Sequence, residues 1–174
     1  MHEIVRPELI EALTMVVFPA DAHMPAVVSA VLLMKNMECL NFFSDYDSLH
    51  VRPDPCYLQL FRGFKKLTFF GITLLNNNVR SVNAAVEDLV TNNPDLELVS
   101  FRFMQLTDQS MRSLARLTNL KEVMFDRRSV GLKGILSLLR GSSREILESV
   151  TIFQETEMSA QEKRVIGKEL VEEY

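Results

Sequence analysis

The chain has 174 residues, 47% of them hydrophobic and 24% charged, with 19 basic side chains against 23 acidic ones and a formal net charge of −4. That length holds one well-buried domain, and the composition is that of an ordinary globular protein. The mild acidity and the absence of a basic stripe argue against nucleic acid, since the pairs Lys65-Lys66 and Arg127-Arg128 stand isolated from one another.

The longest apolar runs, such as Ala26 to Met34, fall far short of the ~20 residues that cross a bilayer. The first residues carry Glu3 and no apolar segment before a small-residue cleavage site, so they do not read as a secretion signal. An intracellular setting, cytoplasmic or nuclear, is the expectation. The 2 cysteines, Cys39 and Cys56, build neither a disulfide framework nor a four-ligand zinc site, and reduced thiols follow.

One apolar pattern, x-L-x-x-L-x-F, returns six times, with its middle residue at 13, 40, 67, 99, 123 and 150, in steps of 27, 27, 32, 24 and 27. In chain order, residues 1–9 lead into a first strand anchored by Ile10, Leu13 and Met15. Ile4, Val5 and Leu9 are the apolar content available there, and they serve equally as a thin cap or as an association surface. The second strand carries Met37, Leu40 and Phe42. Pro53 and Pro55 then bracket a turn ahead of Cys56, Leu58 and Phe61, which stops at Gly63.

The third strand is read at Phe64, Leu67 and Phe69. Val79, Val82, Val86, Leu89 and Val90 follow at three- and four-residue steps, an amphipathic helix stopped by Asn92-Asn93-Pro94. A fourth strand at Leu96, Val99 and Phe101 precedes Thr107, an N-cap for a helix carrying Met111, Leu114 and Ala115. The fifth strand, at Leu120, Val123 and Phe125, leads to Leu132, Ile135, Leu136 and Leu139, with Gly141 as the break. The sixth, at Leu147, Val150 and Ile152, precedes a capping-box spacing at Ser159 and Glu162. There Val165, Ile166, Leu170 and Val171 face inward while Glu169, Glu172 and Glu173 face water.

A short strand plus a helix cannot bury both its faces alone, so neighbouring units must stack. The expected fold is an α/β solenoid of about six strand–helix units, with parallel strands on the concave face and helices on the convex one. Residues 1–174 form one domain: an edge or cap over 1–9, repeats over 10–158 and a capping helix over 159–174.

Leu106 to Phe125, LTDQSMRSLARLTNLKEVMF, and Asn92 to Phe101, NNPDLELVSF, carry a family likeness. The chain resembles the leucine-rich-repeat superfamily, in its ribonuclease-inhibitor-like branch, and these stretches are similar to repeats of F-box leucine-rich-repeat proteins, the substrate receptors of ubiquitin ligases. The resemblance implies a protein-binding solenoid. Two departures stand out. The turn position usually held by Asn or Cys reads Phe18, Asp45, Ile72, Met104, Arg128 and Glu155. No F-box is expected either, because the first repeat begins by Ile10.

Alternation sends the residues between the anchors to the concave surface. The candidate partner-binding residues there are Phe43, Phe70, Arg102, Phe103, Asp126, Arg127 and Phe153. Their rings form either an apolar contact patch or packing beneath a loop such as Ser44 to Pro55. The column Glu11, Glu38, Lys65, Glu97, Lys121 and Glu148 reads as a solvated charged strip, with pairing such as Glu38 to Lys65.

His2, His23 and His50 lack metal-ligand spacing, Cys39 on the concave side is read as a structural thiol, and the glycines form no phosphate loop. Hence no catalytic residue, metal or cofactor is expected. Three functions compete. The first is a protein-interaction module, an adaptor or recognition element. The second is an assembly protein self-associating through its N-terminal edge, and the third is a small α/β enzyme with an accidental repeat, which needs a deep polar pocket.

Overall fold

A computed structural model describes residues 15–19, 24–43, 55–76, 79–126, 130–153 and 159–171. Strands and helices alternate along them. They are β1 (Met15–Pro19), α1 (Met24–Val31), β2 (Cys39–Phe43), a 3-10 helix (Pro55–Phe61), β3 (Phe69–Asn76) and α2 (Val79–Asn92). Then come β4 (Leu98–Met104), α3 (Asp108–Leu114), β5 (Glu122–Asp126), α4 (Leu132–Leu139), β6 (Ser149–Phe153) and α5 (Ala160–Val171). The strands form one six-stranded sheet in sequential order, and every neighbouring pair is parallel. Crossovers between parallel strands share one hand as a rule, so with the strand order never reversing they return on the same side of the sheet. The helical elements therefore pack in chain order: α2 touches the 3-10 helix and α3, α3 touches α4, and α4 touches α5.

The register is set by a backbone contact that recurs between units. The Glu38 carbonyl accepts the N–H groups of Thr68 (2.8 Å) and Phe69 (3.1 Å), and the Thr68 carbonyl accepts those of Glu97 (2.8 Å) and Leu98 (3.1 Å). The Glu97 carbonyl takes Lys121 and Glu122, and the Lys121 carbonyl takes Glu148 and Ser149, in the same way. These contacts correct two units of the sequence reading. Leu40 lies level with Phe70 and Phe42 with Ile72, so the third unit is anchored by Leu67, Phe70 and Ile72. In the first unit Val16 and Phe18 lie level with Leu40 and Phe42. Both units are displaced by three residues from the expected Phe64/Leu67/Phe69 and Ile10/Leu13/Met15. Ile72, expected at the turn, is a core residue at 2% exposure. Glu38 likewise sits level with Thr68 rather than Lys65, and the strip's ion pair is Lys121 to Glu97 at 2.7 Å.

The core lies between the sheet and the helices. Leu40, Phe70, Val99 and Val123 of the strands meet Val82, Val86 and Leu89 of α2, Met111 and Leu114 of α3, and Ile135 and Leu138 of α4, all at 0% exposure. Phe61 of the 3-10 helix packs on Phe70 (ring centroids 4.8 Å apart) and stacks on Phe101 at 6.1 Å. The residues before β2 to β5, Met37, Leu67, Leu96 and Leu120, are buried too, which closes the floor of these four units.

Polar side chains tie α2 to α3 and α3 to the start of α4. Asn83 of α2 accepts hydrogen bonds from Thr107 Oγ1 (2.8 Å) and Ser110 Oγ (2.5 Å) at the start of α3, and Asp108 of α3 accepts the Gly131 N–H at 2.7 Å ahead of α4. Gly134 and Gly141 let α4 approach α3 closely: a Cβ on either would fall within 3.0 Å of backbone atoms, Asp108 Cα for Gly134 and Ala115 O for Gly141. Asn93, which stops α2, also joins units, because its Oδ1 accepts the Leu67 N–H at 3.0 Å while its Nδ2 donates to the Leu89 carbonyl. Thr107 caps α3 as expected. Ser159 and Glu162 form the expected capping box, with Glu162 N–H on Ser159 Oγ (3.2 Å) and Ser159 N–H on Glu162 Oε2 (3.0 Å), and Ile166 rests on the core. The expected edge over 1–9, the loop over 44–54 and the side chains of 167–174 lie outside the described residues.

Phe70→Ala is expected to cost about 3–5 kcal/mol in urea denaturation, the usual loss for a buried ring. Phe69→Ala, one residue away on the half-buried opposite face, is expected to cost no more than about 1.5 kcal/mol. Equal losses would contradict the observed register. A second expectation concerns Glu87, whose carboxyl is held below the usual glutamate range by the Ser113 hydroxyl (2.6 Å) and then by Arg116 (2.8 Å). A depressed folded pKa stabilises above the unfolded value, about 4.3 for glutamate, and that stability is lost as pH falls through the folded value. The Glu87→Gln variant should therefore lose less stability than wild type on acidification from pH 5 to 3. At this partly exposed pair the difference is about 1 kcal/mol at most.

Candidate functional site

Because Phe70, Val99 and Val123 enter the core, the residues between the anchors turn to the other face of the sheet. No helix packs there among the described residues. Rows form across the strands. The first runs Cys39, Phe69, Leu98, Glu122 and Ser149; the second runs Asn41, Gly71, Ser100, Met124 and Thr151. Cys39, Phe69, Leu98 and Met124 are each half-buried, in contrast with the closed core behind them. At Gly71 a Cβ would lie 2.6 Å from Asn41 Oδ1 and 3.1 Å from the Phe69 ring, so these two side chains close over the glycine and make the patch continuous.

The third row stands at the C-terminal ends of the strands and carries most of the charge: Thr73, Arg102, Asp126 and Phe153. Arg102 extends over Phe153 with its guanidinium carbon 3.7 Å from the ring centroid, and it lies 5.3 Å from the ring of Phe103. Such cation–π contacts contribute about 0.5–2 kcal/mol. Arg102 Nε is 4.0 Å from Asp126 Oδ2, and this nitrogen is buried without a hydrogen-bond acceptor. The Arg102 side chain keeps 36% of its exposure, whereas that of Asp126 keeps 12%.

Backbone geometry assembles this group. Phe103 has φ 60°, the left-handed region, and its N–H donates to Asp126 Oδ2. A bulky residue there costs about 1–2 kcal/mol. Opposite, the pairing shifts between Thr73 and Asn76, so β3 carries one residue more than β4. The result is a break in alternation: Phe101 and Met104 both enter the core, and Arg102 and Phe103, between them, are both half-buried.

Of the sequence-derived candidates, Arg102, Phe103, Asp126 and Phe153 are thus brought together. Phe70 is a correction: it is fully buried between Phe61 and Phe101, because the third strand is displaced by three residues. Its place in the row belongs to Thr73. Phe43 ends β2 level with Pro19, but its side chain and all of Arg127 lie outside the described residues. Phe69, Leu98 and Met124, absent from the candidates, take the exposed positions. Anchoring the third unit at Leu67, Phe70 and Ile72 would have found Phe69. Cys39 faces this side as expected, and burial pushes its thiol pKa up, which favours the unreactive protonated form.

No group of three or more His, Cys, Asp or Glu side chains among the described residues is arranged to hold a metal ion. No described helix is long and apolar enough to cross a membrane. No protein-family model matches the chain, and no curated protein matches it significantly.

Asp126→Ala would leave the Phe103 N–H without its acceptor and remove the anion beside Arg102. We expect a loss of about 1–3 kcal/mol by chemical denaturation, with a smaller loss for Asp126→Asn, which keeps an acceptor oxygen. A neutral Asp126→Ala variant would mean that the left-handed turn holds without this contact.

Proposed function

We propose that the chain is a leucine-rich-repeat protein-interaction module whose partner docks on the open face of the sheet. The observation that carries this reading is the one-sided burial of a sequentially ordered parallel sheet. One face is closed by stacked helices, while the other leaves Phe69, Leu98 and Met124 half-buried in one patch beside Arg102 and Phe153. Apolar patches of this kind, edged by polar groups, suit protein contacts. The repeat class rests on the likeness of residues 92–125 to F-box leucine-rich-repeat proteins, and it favours an adaptor or substrate-recognition role in an intracellular setting. The function is binding without catalysis.

The test is affinity capture from source lysate with the wild-type chain, a Phe69→Asp, Leu98→Asp double variant and a helix-face control, Arg112→Glu, all checked for native circular dichroism. A partner retained by wild type and control but lost from the double variant supports the open face. A partner retained by all three, or lost only from the control, overturns it.

A further inference from the structure

Arg102 is held differently from the ion-paired cations of the helix layer and the charged strip. Arg62, Arg116 and Lys121 are each paired with a carboxylate within 3.0 Å. Arg102, on the open face, is 4.0 Å from the nearest carboxylate oxygen, that of Asp126. The Phe103 N–H already occupies that oxygen, and Asp126 is nearly buried. The ring of Phe153 covers one face of the guanidinium. What remains for a ligand is the edge of a planar fork, oriented by an aromatic neighbour, and such an edge recognises acceptors that lie in its plane.

We propose, resting on the open-face reading above, that Arg102 is the receptor for an acidic side chain on the docking partner, an Asp or Glu flanked by apolar residues. Two in-plane acceptor oxygens match the fork. Asp126 beside it and Glu122 on the same strand repel a dianion more than a single carboxylate, which disfavours a phosphorylated side chain. Met124 lies one row away on the neighbouring strand and Leu98 two rows away on the strand of Arg102 itself, so the residues flanking the acid must be apolar to cover them. The recognised element is therefore a short mixed segment rather than an acidic run.

The fork and the patch can be probed without the natural partner. A phage-displayed library of random dodecapeptides is panned against the wild-type chain, and enriched peptides are synthesised for fluorescence anisotropy. Enriched peptides should carry Asp or Glu between apolar residues. Arg102→Gln should weaken them at least tenfold, as should Asp→Asn or Glu→Gln in the peptide, and the two changes together should cost no more than either alone. Arg102→Lys, which keeps the charge without the fork, should recover little. Phe69→Asp should abolish binding. Peptides lacking an acid, or acidic peptides that bind Arg102→Gln and wild type alike, overturn the role of Arg102. So does full recovery with Arg102→Lys, and so does tighter binding of a phosphoserine version. In those cases loss with Phe69→Asp still leaves the open-face reading standing, whereas unchanged binding removes both. A library that yields no enriched peptide overturns the inference, because the site is already assembled in the free chain.

Discussion

The structure depends on one carbonyl accepting two N–H groups from the following unit, repeated from the second unit to the sixth. Glu38, Thr68, Glu97 and Lys121 fill this role in turn, and each contact places the following strand one sheet spacing away and level with its predecessor. Sheet strands lie about 4.8 Å apart, whereas helices with side chains are about 10 Å wide. The helical layer must therefore spread away from the strand layer or be drawn unusually close. Both responses have consequences here. Gly134 and Gly141 permit close approach of α4 to α3, and the Asn83, Asp108 and Asn93 contacts hold successive units together through polar groups that would be costly to leave unpaired in the core.

Burial on one side follows from that arrangement. Each strand commits its core-facing residues to the helices, and no unit closes its apolar surface without a neighbour. The last strand shows the same rule at its limit. Val150 and Ile152 of β6 are only half-buried, whereas Val99, Phe101, Val123 and Phe125 at the same levels are fully enclosed. Among the described residues β6 has a strand on one side only, and α5, anchored by its capping box, supplies part of the missing cover through Ile166.

The open face is not uniform. Its N-terminal rows, Glu122 and Asn41 apart, are small or apolar and continuous over Gly71, while its C-terminal row concentrates charge and aromatic rings. The concentration arises where regular alternation fails: a left-handed Phe103 and an extra residue in β3 make Arg102 and Phe103 neighbours of Asp126 and Phe153. A conformation that costs about 1–2 kcal/mol persists because Asp126 accepts the Phe103 N–H and Met104 gains a place in the core. Irregular backbone is tolerated at strand ends, where fewer ladder hydrogen bonds are at stake.

The sequence by itself determined the alternation of strands and helices, the helix over Val79–Asn92, the caps at Thr107 and Ser159, and the inward-facing anchors of units two, four, five and six. These are local properties, fixed by the spacing of apolar residues and by side chains that bond their own backbone. Arg102, Asp126 and Phe153 were legible for the same reason, each following an anchor whose identity was unambiguous. Only the tertiary structure decided the register of units one and three. The repeat pattern overlaps itself there: Phe64/Leu67/Phe69 and Leu67/Phe70/Ile72 both satisfy it, as do Ile10/Leu13/Met15 and Leu13/Val16/Phe18. Phe69 and Phe70 exchange faces between the two choices, and their composition is identical, so no local preference separates them. What separates them is which carbonyl of the preceding unit each N–H meets, a contact made across 30 residues between Glu38 and Thr68. The backbone of Phe103 was hidden for a related reason, since a left-handed phenylalanine is unfavourable in isolation and is held by Asp126 from the next strand.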